Sequence, residues 1–350
     1  MQEHCDSGSH IKFHEPEWYK QTNWTKSSDI SWKQVCHFRA QEIRDSYKTV
    51  KLLFSGGCDS VLVLDSFVTN RIHIDEIVLV ECGIESADYE ITQAKHLLKK
   101  YQLPKTKITV ITADVNDYEN FYLQDNWYDR ANFENNGFWF RMHHRELYKQ
   151  MYIDADDVCN VTGHQKPFML FKDNEWWIQS IDINTEQMTS ENVSKEEFFS
   201  GSADILRTQF HMAIDYIQSQ VDKSQYNTLL KKGPMSQQHM NLASGRINTL
   251  DQPFIQKQKQ DTFIKYKNKK LYCYNYKEAQ ALKWAVDNMP HAVDAWKKTV
   301  DQYSKLADGV WYNQGRPEYG WVGIFAPFYS LTTNTVKTVD ELFPDGYCNQ

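Results

Sequence analysis

The feature that most constrains the fold is an apolar run that ends in two glycines. Thr49–Phe54 (TVKLLF) has the length and β-branched content of a buried strand, and Asp59–Thr69 carries apolar side chains at helical spacing. The pair Gly56-Gly57 lies between them. We therefore predict a strand, a sharp turn and a helix, the unit that brings a helix N-terminus to the carboxyl end of a strand in a parallel sheet.

The same alternation continues downstream. Ile77–Glu81 has the pattern of a short buried strand, and Lys107–Ile111 predicts a third strand. Asp88–Tyr101 is amphipathic at helical spacing. Phe140–Tyr152 and Asp157–Thr162 have the patterns of a further helix and strand. Short apolar strands that alternate with helices are typical of a parallel sheet with helices on both faces, so the sequence predicts an α/β fold.

The segments on either side of this pattern differ in character. Residues 1–27 are polar and aromatic and predict an arm packed on the body, while Ser28-Asp29 is expected to cap a helix that runs to about Ser46. Met169–Ser180 predicts a β-hairpin with Asp173-Asn174 as its turn.

The remainder of the C-terminal half is expected to be an added α+β region. Ser194–Gln220 and Lys277–Leu306 have helical patterns, and Thr262–Tyr274 predicts a second hairpin. We predict three regions: an arm and helix at 1–47, an α/β domain at 48–185, and a mixed, largely helical substrate or accessory region at 186–350.

Composition limits the class of protein. Of the 350 residues, 41% are hydrophobic and 24% charged, as in globular proteins. No apolar run approaches the ~18 residues needed to span a bilayer, and Met1–Ser9 lack a signal-peptide pattern. Seven cysteines without a Cys-x-x-Cys pair favour reduced thiols and a cytoplasmic location. A net charge of −7 argues against a protein that wraps nucleic acid.

The segment Ser55-Gly56-Gly57-Cys58-Asp59-Ser60 has the chemistry of a phosphate site. Two glycines allow a tight turn that brings backbone N–H groups close to phosphate oxygens, and the helix N-terminus adds a partial positive charge. Ser55 and Ser60 supply hydroxyl groups. Because the carboxylate of Asp59 repels a bare phosphate, its presence predicts a magnesium ion between them.

Phe54–Ser60 (FSGGCDS) resembles the Ser-Gly-Gly-x-Asp-Ser signature of the PP-loop ATP pyrophosphatases, whose fold is that of the adenine nucleotide α-hydrolases (HUP). This superfamily includes asparagine synthetase, NAD synthetase, tRNA-modifying thiolases and the phosphoadenylylsulfate reductases. The resemblance implies cleavage of Mg-ATP between its α and β phosphates, with the loop binding pyrophosphate. A Walker-type Gly-x-x-x-x-Gly-Lys motif is absent from the sequence.

Two further segments extend the resemblance over residues 45–170. Val78–Gly83 is similar to the family's second strand, which implies adenosine contacts at Val80, Cys82 and Gly83. The segment Val161–Lys166 is similar to the asparagine-synthetase strand that ends in Thr/Ser-Gly. It matches at two positions, Thr162 and Gly163, whereas the acidic pair that should follow is replaced by His164, Gln165 and Lys166.

Three cationic side chains are candidates for the catalytic step. Arg141, in a group with His143, His144 and Arg145, either neutralises charge on the α-phosphate or belongs to a solvated helix face. Lys166 either reaches the pyrophosphate or is a surface lysine. His164 is a candidate proton carrier, although a loop histidine with satisfied hydrogen bonds is the more common case.

These features lead to three functional hypotheses. The first is an adenylating enzyme that resembles asparagine synthetase but lacks its glutaminase half, since Gln2 stands where that half requires cysteine; stand-alone proteins of this kind are familiar from bacteriophages. The second is a sulfur-handling enzyme that uses Cys348, Cys58 or Cys82. The third is a non-catalytic nucleotide-binding module, which the missing acidic pair favours.

The expected partners follow from the same features. ATP and magnesium are the expected cofactors, and the acceptor is a small molecule or a nucleotide. The lysine- and aromatic-rich run 257–272 is either a nucleic-acid contact or a hairpin edge guarded by lysines, of which the second is favoured. No membrane partner is expected, and a homo-oligomer is possible. Trp176-Trp177 either lines a pocket or closes the core.

Overall fold

The computed structural model describes residues 17–81, 85–101, 103–112, 114–123, 157–163, 168–179, 195–227, 283–295, 298 and 327–344. The helices are α1 (Glu17–Gln21), α2 (Trp32–Ser46), α3 (Cys58–Val68), α4 (Glu85–Tyr101), α5 (Val115–Tyr122), α6 (Ala203–Gln220) and α7 (Val339–Leu342). The strands are β1 (Thr49–Leu53), β2 (Glu76–Glu81), β3 (Lys107–Thr112), β4 (Val158–Thr162), β5 (Phe168–Lys172), β6 (Glu175–Gln179), β7 (Lys195–Glu197), β8 (Phe328–Ser330) and β9 (Val336–Lys337).

A five-stranded parallel sheet in the order β3-β2-β1-β4-β7 forms the centre of the fold. β1 lies in the middle because Val50 and Leu52 are apolar and fully buried. The chain winds from β1 outward through β2 to β3, and then continues on the other side of β1 with β4 and β7. The prediction of a parallel α/β sheet with helices is confirmed, as is a separate antiparallel sheet built partly from C-terminal residues.

The antiparallel sheet has the order β5-β6-β8-β9. Its first hairpin confirms the predicted turn, because Asp173 and Asn174 have φ values of 52° and 68°. Two successive positive φ angles define the type I′ turn, which Asx residues adopt at low cost. Trp176 and Trp177 are both buried, which favours the core alternative.

Of the predicted arm, the structure describes residues 17–27, and these pack on the body. The side chains of Tyr19 and Trp24 are fully buried, and Tyr19 contacts Tyr329 edge to face with ring centroids 5.0 Å apart. The backbone N–H of Trp24 donates to Oδ1 of Asn334 over 2.9 Å. Residues near the two ends of the described chain therefore meet at β8.

Two element boundaries differ from the prediction. α2 is capped by Ser31 rather than by Ser28-Asp29, because Ser31 and Gln34 form a reciprocal capping box. The predicted helix Ser194–Gln220 starts with a strand, β7, and α6 begins only at Ala203. β7 consists of polar residues that pair with β4, a contact that depends on tertiary structure. Its sequence therefore has no alternation of apolar and polar residues that would predict a strand.

β7 belongs to the central sheet although it follows residue 185, and the proposed division into three regions stays a prediction. Residues 283–288 and 290–295 are helical, within the predicted helix Lys277–Leu306. Phe140–Tyr152 and Thr262–Tyr274 lie outside the described residues. No helix in the described ranges is long and apolar enough to cross a membrane.

The ion pair between Arg44 and Asp75 joins α2 to the amino ends of β1 and β2. Oδ2 of Asp75 accepts hydrogen bonds from the Val50 N–H over 2.7 Å and from Arg44 Nη1 over 2.6 Å. Arg44 Nη2 also donates to the carbonyl oxygens of Tyr47 and Lys48. Burial alone raises the pKa of Asp75, but the Val50 N–H and the Arg44 guanidinium outweigh it, so the pKa lies below its ordinary value.

We predict that Asp75→Asn lowers the free energy of unfolding by about 1–2 kcal/mol at pH 7. The unfolded-state pKa is about 3.9 and the folded-state pKa lies lower, so ionised Asp75 stabilises the fold fully above about pH 5. That contribution is lost as the pH falls through the folded-state pKa. Urea unfolding of wild type and variant from pH 7 to pH 3 should therefore show a difference that shrinks below about pH 4.

Asp157→Asn is the matched control, because Asp157 pairs with Lys48 at 3.0 Å on the surface, where both side chains are exposed. Surface pairs of this kind contribute about 0–1 kcal/mol. Equal losses in the two variants would contradict a special role for Asp75.

Candidate functional site

The loop between β1 and α3 adopts the sharp turn that the sequence predicts. The Phe54 N–H donates to the Val78 carbonyl over 2.8 Å, which extends the sheet pairing by one residue. Gly56 then has a φ of 74°, and Gly57 returns to an extended conformation as the N-cap of α3. A left-handed residue directly before a helix start turns the backbone of residues 55–58 across the end of the helix.

The turn is packed closely against α4. A Cβ atom added to Gly56 would lie 2.8 Å from Cβ and 3.0 Å from Cα of Ala94, which is itself fully buried. Both the φ angle and this contact therefore require glycine at position 56. The close approach fixes the height of the loop above the carboxyl end of β1.

Two serines form a local network inside the loop. Ser55 Oγ accepts a hydrogen bond from the Gly57 N–H and lies 3.3 Å from Ser60 Oγ. The hydroxyl of Ser60 donates to the Gly57 carbonyl over 3.1 Å, and Ser60 is buried. In this arrangement Ser60 stabilises the turn, while the half-buried Ser55 is the more accessible hydroxyl.

The end of β4 meets the same helix start. A Cβ atom added to Gly163 would lie 3.2 Å from the carbonyl carbon of Asp59 and 3.2 Å from Cγ2 of Val63. Thr162 is buried, and its hydroxyl donates to the carboxylate of Glu197 on β7. The carboxyl ends of β1 and β4 therefore converge on the first turn of α3.

The place where β1 and β4 meet α3 coincides with the switch point of the parallel sheet. The chain leaves β1 toward β2 on one side and reaches β4 on the other, which makes the gap between β1 and β4 the switch point of the sheet. Ligands of open α/β sheets bind in the crevice outside the carboxyl ends of the strands at such a point. The glycine loop lies at that position.

The end of β2 is the third edge of the site. Val80 is buried, and the carboxylate of the next residue, Glu81, accepts a hydrogen bond from Lys95 of α4 over 2.5 Å. Lys95 follows Ala94, so α4 contacts both the loop and the end of β2. The predicted adenosine contacts Cys82 and Gly83 lie outside the described residues.

The structure brings several predicted site residues together at one edge of the sheet. These are Ser55, Gly56, Gly57, Asp59, Ser60, Thr162 and Gly163. Cys58 is described through its backbone as the first residue of α3. Val80 ends its strand at the same edge. The candidate catalytic residues Arg141, His164 and Lys166 lie outside the described residues, as do Cys348 and the run 257–272.

A magnesium ion at this site would have to share its ligands with a bound nucleotide. Within the described ranges, no group of three or more His, Cys, Asp or Glu side chains has the geometry of a metal site. Nucleotide-bound Mg²⁺ normally takes one or two carboxylates together with phosphate oxygens and waters. Asp59, in the first turn of α3, supplies one carboxylate at the location where phosphates are expected.

The sequence did not reveal the residues that fix β7. Arg39 of α2 is buried and pairs with Glu196 at 2.5 Å and Glu42 at 2.9 Å, and Tyr47 donates to the other oxygen of Glu196 over 2.8 Å. Burial by itself lowers the pKa of Arg39, but the two carboxylates outweigh it and raise the pKa. The only sequence signal was the Glu-Glu pair before Phe198, which matched no motif.

Two cysteines near this network are core residues. Cys36 and Cys159 are both buried, and neither belongs to a disulfide. Burial, reinforced by the negative charge of Glu196, raises the pKa of Cys159 far above its ordinary value. A thiol that stays protonated is a poor nucleophile, so Cys159 is not a candidate for sulfur chemistry.

We predict that Gly56→Ala lowers the free energy of unfolding by about 1–3 kcal/mol, because it forces a side chain into a left-handed conformation against Ala94. Gly57→Ala is the control in the same loop. Its φ is −70°, and its Cβ would meet only Ser55 Oγ at 3.3 Å, so a loss below about 1 kcal/mol is expected. Urea unfolding of the two variants makes the comparison, and a larger loss from Gly57→Ala would contradict the described turn.

No protein-family model and no curated protein matches the sequence.

Proposed function

We propose that the chain is a Mg-ATP-dependent adenylating enzyme of the PP-loop ATP pyrophosphatase type. In this proposal ATP is cleaved to AMP and pyrophosphate, and a carboxylate or similar oxygen is activated for attack by an amine. One observation carries the proposal: the left-handed Gly56 brings the loop across the N-terminus of α3 at the switch point of the parallel sheet.

The physical support comes from the helix start. The first N–H groups of an α-helix point out of its N-terminus and carry a partial positive charge of about half a unit. α3 begins at Cys58, directly after the turn, and it runs for 11 residues, long enough for an established dipole. A pyrophosphate group has the charge and size to be bound there through backbone groups.

The arrangement of the strand ends supports a nucleotide rather than a free phosphate. The loop after β1 and Gly163 after β4 flank the crevice at the switch point, and β2 ends beside them at Glu81. Nucleotides bound to such sheets extend from the phosphate loop along neighbouring strand ends. Val80, which is buried near the end of β2, is the described residue that this proposal assigns to the adenosine.

Magnesium supplies charge neutralisation for the phosphates when it is bound. Asp59 would hold it, and the hydroxyl of Ser55 and the loop amides would orient the pyrophosphate oxygens. The sulfur-handling alternative depends on Cys348, Cys82 or Cys58, and a non-catalytic module would use the same loop without turnover. Product analysis distinguishes the three.

The test is incubation of the full chain with magnesium and ATP labelled in the α or γ phosphate, together with candidate carboxylic acids and amines. We expect labelled AMP and labelled pyrophosphate in equal amounts. Asp59→Asn, which removes the charge at similar volume, should weaken Mg-ATP binding at least about tenfold. Asp65→Asn, on the same helix but two turns further along, should leave it unchanged.

Each alternative outcome has a defined meaning. Release of ADP and phosphate would overturn adenylation, and unchanged Mg-ATP affinity in Asp59→Asn would overturn the assignment of the loop. Tight binding without any turnover across many acceptors would favour the non-catalytic module. Loss of activity in serine variants of Cys348, Cys82 or Cys58 would favour sulfur transfer.

A further inference from the structure

The carboxylate of Glu197 contacts the last residue of β4 at the edge of the sheet that carries the glycine loop. Thr162 and Glu197 are direct partners in the register of β4 and β7, and the Thr162 hydroxyl donates to Oε2 of Glu197. Thr162 is the last residue of β4 and is 4% exposed. A hydrogen bond to a charged acceptor is stronger than one between neutral groups, and burial strengthens it further.

Glu197 is itself held on a rigid frame. Its carbonyl oxygen accepts hydrogen bonds from the Gly201 N–H over 2.9 Å and from Arg39 Nη2 over 3.3 Å. The next residue, Phe198, donates its N–H to the Thr162 carbonyl over 2.9 Å, and its fully buried ring lies 6.3 Å from the ring of Phe67 on α3. The end of β7 is therefore fixed to α2, α3 and β4.

The hydrogen bond acts on the loop through a short chain of contacts. Thr162 is followed by Gly163, where an added Cβ atom would lie only 3.2 Å from the carbonyl carbon of Asp59, so the two backbones are closely packed. A displacement of Thr162 moves Gly163, and any movement of Gly163 toward α3 meets the backbone of its first turn. Close packing transmits such a shift to the residues that follow Gly57.

We propose that Glu197 is a positioning residue for the nucleotide loop: through Thr162 it holds Gly163 against the first turn of α3, and so sets the orientation of the loop amides. The inference rests on the proposed function for its effect on Mg-ATP. The predicted effect of Glu197 on the loop backbone does not require a bound ligand.

The test removes the same hydrogen bond from either end. Thr162→Val deletes the donor at nearly constant volume, and Glu197→Ala deletes the acceptor, so whichever variant stays folded tests the bond. The ligand-free readout is amide hydrogen exchange of the segment 55–60, which reports local opening of the loop. The second readout is the Kd for Mg-ATP, measured well below the unfolding temperature of each variant.

Thr208→Val is the matched control. Thr208 is also a buried threonine, but its hydroxyl donates to the Asp204 carbonyl within α6. We expect exchange of the loop amides to become about tenfold faster in Thr162→Val and Glu197→Ala and to stay unchanged in Thr208→Val. Mg-ATP affinity should fall about tenfold in the first two variants, and the double variant should be no weaker than either single one.

Thr162→Ser, which restores a hydroxyl, should return both readouts toward the wild type. Unchanged loop exchange in a folded Thr162→Val or Glu197→Ala variant would overturn the inference, as would strictly additive losses in the double variant. If the wild type does not bind Mg-ATP but the variants still show faster exchange of the loop amides, the positioning role is supported and the proposed function is rejected. The two failures are thereby distinguished.

Discussion

The contact between the backbone of Gly56 and Ala94 is the constraint on which the site depends. A Cβ atom added to Gly56 would lie 2.8 Å from Cβ and 3.0 Å from Cα of Ala94 on α4. A second contact of the same kind joins Gly163 to Asp59. The loop is thus confined between α4 on one side and the end of β4 on the other, and its shape follows from this backbone packing together with the hydrogen bonds of Ser55 and Ser60.

Much of the central sheet was predictable because its strands carry their own signal. β1, β2 and β3 are short apolar runs, each found within one residue of its predicted ends. The hairpin at Asp173-Asn174 was predictable because the turn type demands residues that tolerate positive φ. β7 was not, since three polar residues become a strand only when β4 offers its edge.

The same distinction separates the predictable and unpredictable parts of the site. The residues Ser55–Ser60 are contiguous, so the sequence alone shows which chemical groups the loop contains. The position of Gly163 beside the loop follows from the parallel pairing of β1 and β4. The bond between Thr162 and Glu197 joins residues 35 positions apart. Likewise, the buried hydroxyl of Ser60 turned inward to Gly57, which a motif alone does not specify.

The meeting of Trp24 with Asn334 has a consequence for how the molecule comes apart. These residues are 310 positions apart, and the indole of Trp24 is buried beside Tyr19 and Tyr329. If either the segment with Tyr19 and Trp24 or the segment with Tyr329 detaches, the aromatic rings of the other segment become exposed to water. Separation of either segment is therefore unfavourable. Water therefore reaches the indole of Trp24 only when the two segments separate.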